Sequence, residues 1–152
     1  MTATHTYRAS LDDIDALVPL FDAYRQFYAQ ASDPEMARTF LAERLQREES
    51  LLLLARIADG VVGFTQLYPT FSSVRAARVW VLNDLYVEPA ARGRGVARAL
   101  LQAASDFARD DDAIRLELET TPDNTSAQAL YHATGWQLYD DTLRFHLPLT
   151  RG

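Results

Sequence analysis

The spacing of hydrophobic residues divides the chain into a helical opening, a run of extended blocks, and a closing mixture of the two. A short extended segment over residues 5–9 precedes Ser10 and Asp13, whose spacing predicts a capping box on a helix with Ile14, Leu17, Val18, Phe21, Tyr24 and Tyr28 on one face. Pro19 lies inside that pattern, and its missing N–H predicts a bend near Val18 or a division into two pieces. Asp33 and Pro34 predict a second helix with Met36, Phe40, Leu41 and Leu45 as its buried stripe, ending near Glu48. From Ser50 the period turns extended: LLLLARI, a turn at Ala58-Asp59-Gly60, and VVGFTQLYP read as an antiparallel hairpin. TFSSVRAA reads as a polar connection, with the mobile segment FTQLYPTFSS leading into it. VWVLNDLYV follows as a strand apolar on both faces, hence central.

A loop then opens into a helix over residues 95–109 carrying Val96, Leu100, Ala103 and Phe107. In IRLELET, Ile114, Leu116 and Leu118 alternate with charged residues, and strand, helix and strand in succession imply a right-handed parallel crossover. Residues 122–125 start a short helix with Ala127, Leu130 and Tyr131 facing inward and Gly135 at its end. WQLYDDTLRFHLPL closes the chain as an expected hairpin about Asp140-Asp141.

Composition narrows the class. At 152 residues the chain suits one domain, 1–152, of mixed α/β type. The longest apolar run, residues 51–55, is far below the roughly 20 a membrane helix needs. The first residues lack the basic and apolar segments of a signal peptide and there is no cysteine, so a cytoplasmic location is expected, with no membrane partner. The net charge of −6 argues against nucleic acid and favours cationic partners. His5, His132 and His146 show no metal-ligand spacing, and there is no Gly-x-Ser-x-Gly elbow and no Walker Gly-Lys-Ser/Thr, so no metal is expected and a P-loop nucleotidase is excluded.

The chemistry concentrates between Val81 and Leu101. Gly93 and Gly95 permit a tight turn that brings N–H groups outward, and the helix start adds unpaired donors and partial positive charge. Arg92, Arg94 and Arg98 surround this geometry with cationic charge in an acidic protein, which points to a phosphate-bearing ligand.

Together with LETTPDNTSAQALYHATGW further on, this loop resembles the GNAT superfamily of N-acetyltransferases, nearest to its diamine and histone-acetyltransferase-like branch. The pattern Gln/Arg-x-x-Gly-x-Gly/Ala is matched by Arg92, Gly95 and Ala97, and the later pattern by Asn124, Ala127, Leu130, Tyr131, Gly135 and Trp136. The resemblance implies a mixed, mostly antiparallel sheet with one parallel pair at the cofactor site and helices on both faces. It also implies acetyl-CoA as co-substrate. The main chain of Leu85, Tyr86 and Val87 would pair with the pantetheine arm, and the N–H groups of Arg92, Gly93, Arg94, Gly95, Val96 and Ala97 would hold the pyrophosphate, with Asn124 and Tyr131 also near the cofactor.

Acetyl transfer to an amine needs a neutral attacking amine, a stabilised oxyanion and a proton for the departing thiolate. By the resemblance, a main-chain N–H near Leu85 or Tyr86 meets the oxyanion and Tyr131 supplies the proton. Asp84 is the candidate base, with Glu117 and Glu119 on the next strand as substitutes. Tyr24, Tyr28 and Asp84 are the expected acceptor contacts, with Tyr68, Phe71 and Trp80 also available to a cleft; Tyr24, Tyr28 and Trp80 are expected to serve the core first, with their polar tips able to reach a pocket. The expected reaction is direct transfer to a primary amine of a small molecule or polyamine. Acetylation of a protein lysine or N-terminus is the competing reading, and a non-catalytic acyl-CoA sensor is a third. Homodimers are common in the resembling family, so a homodimer is a further expectation.

Overall fold

The computed structural model describes residues 3–150, which divide into two compact units, one up to Glu119 and one from Thr120. The first holds a five-stranded sheet in sequence order: β1 (Thr4–Arg8), β2 (Leu51–Ile57), β3 (Gly60–Ser72), β4 (Ala77–Val87) and β5 (Arg115–Glu117). Neighbours are antiparallel except β4 and β5, which run parallel and are joined through helix α3 (Val96–Asp110). A parallel pair needs such a crossover.

Helices cover both faces. On one, α1 (Ile14–Phe27) and α2 (Pro34–Gln46) pack Leu17, Phe21, Ala37 and Leu41 against Leu52, Leu54 and Phe64. Neighbouring residues on those strands point the opposite way. There α3 buries Val96, Leu100, Leu101, Ala104 and Ala108. Its approach is close: a Cβ on Gly63 would stand 2.8 Å from the Tyr86 carbonyl oxygen and 3.3 Å from Val96 Cγ1. Phe107, from the expected stripe, is half-buried edge-on to Trp80 at 5.1 Å, and the Trp80 indole N–H donates to Asp111 at 2.8 Å. Trp80 thus belongs to the packing of α3.

The capping box forms, with the Ser10 N–H donating to Asp13 at 2.8 Å, and opens a single 3-10 turn before α1. Pro19 does not divide the helix, which runs unbroken through it. Both Pro19 and Asp15 face solvent, so water can serve the carbonyl that loses its partner. In α2 the buried residues are Ala37 and Leu41, while Met36 is exposed, a small rotation from the expected stripe. The start of α2 is fixed from two sides. Asp33 accepts the Met36 N–H at 3.1 Å, and its own N–H donates at 2.8 Å to Asp22, a buried carboxylate that also accepts from Ser32 at 2.7 Å. The Ser32 hydroxyl and then the Asp33 N–H hold the Asp22 carboxyl below its ordinary range.

The expected polar connection is largely strand. β3 continues to Ser72 and β4 begins at Ala77. Pro69 is tolerated because β2 pairs with β3 only as far as Leu67, leaving that side of β3 without a partner strand that needs a donor. At the β2–β3 turn Ala58 takes the left-handed backbone, with φ of 53°, and Gly60 is already paired to Ile57.

In the second unit α4 (Thr125–Ala133) is capped by Asn124, which accepts the Ala127 N–H at 3.3 Å, and Gly135 follows its end with φ of 96°. Ala127, Leu130 and Tyr131 are half-buried. The expected C-terminal hairpin is not formed among the described residues: 136–150 contain no strand, and Leu143, Phe145, Leu147 and Leu149 are exposed. Alternation specifies one face of a strand, but a strand also needs a neighbour to complete its ladder, and among the described residues no ladder includes this segment.

Two outcomes test this packing. Gly63→Ala should destabilise the protein by about 1–3 kcal/mol, because the backbone carbonyl above it cannot yield as a side chain would; urea unfolding with an unchanged midpoint would contradict the close approach. Asp22→Asn should lower the thermal midpoint at neutral pH. Because the folded carboxyl titrates below its ordinary 3.8, its stabilisation is present above that pH and is lost as pH falls through the folded value, so the two proteins should converge in strong acid.

Candidate active site

β4 is paired with β3 from Ala77 to Val87 but with β5 only from Val79 to Val81. From Leu82 onward no strand of the sheet lies along its other side among the described residues. That leaves an open main-chain edge at Leu85 and Tyr86, the kind of edge an extended ligand can join as an extra strand. The Val87 carbonyl is already taken, accepting from Arg92 Nε at 2.9 Å.

The loop that follows differs from expectation in one respect. Arg92 stays exposed but its guanidinium lies 5.7 Å from the centre of the Tyr86 ring, and its main-chain N–H donates to the Pro89 carbonyl at 3.3 Å. Arg92 braces the loop, and the run of free N–H groups begins at Gly93. Gly93 and Gly95 have φ of 79° and 81° with nothing near a built Cβ, so the backbone conformation, not space, requires glycine. Gly95 caps α3 without a side-chain bond, and the first capping hydrogen bond is from Ala99 to Gly95 at 3.0 Å. The N–H groups of Gly93, Arg94, Gly95, Val96, Ala97 and Arg98 therefore have no acceptor among the described residues. Arg94 and Arg98 are exposed beside them and form no ion pair there. This donor set fits a pyrophosphate.

On the α1 face of the same strand, Gln66 opposes Asp84 while Leu67 opposes Leu82, so Asn83 is the extra residue of a β-bulge. Asp84 is 3% exposed, and no basic side chain among the described residues pairs with it. Three neutral donors meet its carboxylate: Gln66 Nε2 at 2.6 Å on one oxygen, Asn83 Nδ2 at 2.8 Å and the Tyr24 hydroxyl at 3.0 Å on the other. Burial raises its pKa above the ordinary carboxylate value, and these hydrogen bonds only partly offset that. Burial, followed by the Asp84 charge, pushes the phenols of Tyr24 and Tyr68 well above their usual range, so both remain protonated. Rings of Tyr28, Phe64 and Tyr86 lie 5.1, 5.7 and 6.2 Å from that of Tyr24.

The structure thus brings Tyr24, Tyr28 and Asp84 together, while within the same unit Glu117, Glu119 and Phe71 are on the surface. Glu117 is exposed and paired with Arg115 at 2.8 Å, Glu119 is exposed, and Phe71 lies on the surface with Arg78 4.5 Å above its ring. Tyr131 and Asn124 belong to the second unit, where the Tyr131 ring lies 6.1 Å from that of Trp136 and Asn124 serves as a helix cap. Gln66 and Asn83 escaped the sequence reading. Gln66 carries a signal, being the one amide among Phe64, Gln66 and Tyr68 on an inward face; the bulge at Asn83 carries none. Among the described residues no group of histidine, cysteine or acidic side chains could hold a metal ion, and no helix is long and apolar enough to cross a membrane.

Comparison with known proteins supplies the context. The profile of the Acetyltransferase (GNAT) family matches residues 17–136. An uncharacterized N-acetyltransferase of Bacillus subtilis, YhfO, is 46% identical over 130 residues, 86% of this chain and 87% of the relative. An aminoglycoside N(6')-acetyltransferase of Stenotrophomonas maltophilia is 30% identical over 113 residues, 72% of this chain and 74% of its own length. The crystal structure of a probable acetyltransferase superposes with a TM-score of 0.91 at 42% identity, covering 97% of this chain and 99% of that one. With the family profile spanning most of the sequence, the chain belongs to the GNAT family of acetyltransferases, enzymes that carry out acetyl-CoA-dependent N-acetylation.

Proposed function

We propose that the enzyme transfers the acetyl group directly to a primary amine of a small molecule or polyamine, with Asp84 as the general base. The observation that carries this reading is the buried Asp84 carboxylate, which has neutral donors around it, aromatic rings beside it and no ion pair among the described residues. A positively charged amine supplies the missing counter-charge, and the rings of Tyr24 and Tyr28 suit a cation at their faces. The likeness to an aminoglycoside acetyltransferase, an enzyme named for an amine-rich small molecule, supports the same class of acceptor.

The co-substrate, when bound, supplies an activated acetyl thioester. The N–H groups from Gly93 to Ala97 hold its pyrophosphate, with Arg94 and Arg98 adding charge. The open edge of β4 at Leu85 and Tyr86 aligns the arm and offers an N–H to the acetyl oxygen. Asp84 takes the proton that the ammonium must lose, since only a neutral amine attacks; its raised pKa makes it a stronger base than an exposed aspartate. By the resemblance of its motif, Tyr131 contacts the cofactor and gives a proton to the departing sulfur.

The defining experiment is thiol release from acetyl-CoA, followed with a thiol-reactive dye, in the presence of spermidine, kanamycin or a lysine-containing peptide. The protein has no cysteine to contribute background. Release with spermidine or kanamycin is expected; release with the peptide alone would make the enzyme a protein acetyltransferase, and calorimetric binding of acetyl-CoA without release to any amine would make it a sensor. Asp84→Asn should lower turnover by about 100-fold or more while leaving acetyl-CoA binding intact. The same variant should melt no lower than the parent at pH 7. A raised carboxyl pKa means the folded state bears a cost that appears as pH rises through the unfolded 3.8 toward the folded value, and the neutral amide removes it.

A further inference from the structure

Asp84 is too enclosed to meet an acceptor directly. It is 3% exposed, and donors already occupy both carboxylate oxygens. One of those donors is placed differently from the rest. The Tyr24 hydroxyl lies 3.0 Å from Asp84 Oδ1 and 3.3 Å from the main-chain carbonyl oxygen of Asn83, so its single proton has two acceptors within reach. That second acceptor exists because of the bulge: Asn83 has no partner residue across β3.

We infer that the Tyr24 hydroxyl is the proton relay between the acceptor amine and Asp84, moving its hydrogen bond from the carboxylate to the Asn83 carbonyl as the carboxylate becomes protonated. The inference rests on Asp84 being the base. In the step, the ammonium nitrogen gives a proton to a lone pair of the Tyr24 oxygen, and the proton that oxygen carried passes to Asp84 Oδ1. The ammonium becomes a neutral amine, the carboxylate becomes a carboxylic acid, and the phenol ends as it began. Afterwards the Asp84 hydroxyl donates to Tyr24 and Tyr24 donates to Asn83, so no polar atom of the relay is left without a partner.

The surroundings favour a relay over a tyrosinate base. Facing this centre are Tyr24 and Tyr28 from α1, Gln66 and Tyr68 from β3, and Asn83 and Tyr86 from β4, with Arg44 of α2 acting on Tyr68. None of these is a cation bonded to Tyr24 that would stabilise its anion. Burial and the Asp84 charge hold the phenol protonated, so Tyr24 accepts a proton only while handing one on.

The test compares Tyr24→Phe with Asp84→Asn in single turnovers, with spermidine as probe, or kanamycin if that is the amine turned over. Tyr24→Phe should lose about 100-fold in rate, lose the acidic limb of the pH–rate profile as Asp84→Asn does, and bind acetyl-CoA as the parent does. The double variant should be no slower than the worse single one, because both remove the same proton path. If Asp84→Asn keeps the parent profile, the base assignment fails and the relay with it. If Asp84→Asn loses the limb while Tyr24→Phe keeps both limb and rate, the relay alone is overturned. A measurement on the unaltered protein needs neither acceptor nor variant: in a pH titration followed by 13C NMR, Tyr24 Cζ should shift with the same midpoint as Asp84 Cγ. A Tyr24 Cζ resonance that stays flat through the Asp84 midpoint overturns the switch.

Discussion

Beyond Val81, β4 is held from one side only. Its ladder with β3 runs from Ala77 to Val87, whereas β5 reaches only Val79 to Val81, and everything proposed for function depends on that inequality. If β5 continued alongside β4, the main chain at Leu85 and Tyr86 would be spent on the sheet. Because it stops, hydrogen-bonding capacity remains at the point where the strand turns into the Gly93–Gly95 loop. Gly63 sets the other boundary. By bringing α3 down onto β3, it places the free N–H groups at the helix start just beyond the same end of β4.

The bulge at Asn83 divides the labour along that strand. One extra residue shifts the register, directs Asp84 toward Gln66 and Tyr24, and leaves Asn83 with a carbonyl for Tyr24. Three neutral hydrogen bonds keep the carboxylate in place without the cation that would make burial comfortable. A basic partner would steady the fold and weaken Asp84 as a base. Asp22 shows the contrast within one chain: it too is buried and hydrogen-bonded, yet its first partners pull its pKa down and its work is to fix the start of α2.

Where sequence and structure agree, the signals were local. Ser10 with Asp13, Asp33 with Pro34, and Asn124 each cap as their side chains dictate. Gly93 and Gly95 adopt the backbone their composition predicted. What was not legible depends on partners distant in sequence. Pro19 breaks nothing because its side of α1 faces water, and residues 70–72 are strand because β4 lies opposite them. The Arg92 main-chain N–H reads as a phosphate donor but is spent on Pro89, and the bulge that aims Asp84 is a property of two strands in register, invisible in either alone. The final segment shows the same limit from the other side, since 136–150 have the alternation of a hairpin and, among the described residues, form no strand. Of the candidate site, the glycine loop and Asp84 were readable, while Gln66 and Asn83 were not.

The chain has two tryptophans, and they fall one to each unit: Trp80 lies against Phe107 with its indole bonded to Asp111, and Trp136 sits beside Tyr131. Their emission is therefore a pair of separate optical reporters already written into the sequence. Replacing Trp80 leaves a protein whose fluorescence follows only the residues after Glu119, and replacing Trp136 leaves one that follows only the sheet. Whether the two units unfold in one step or two becomes a question answered by overlaying two melting curves.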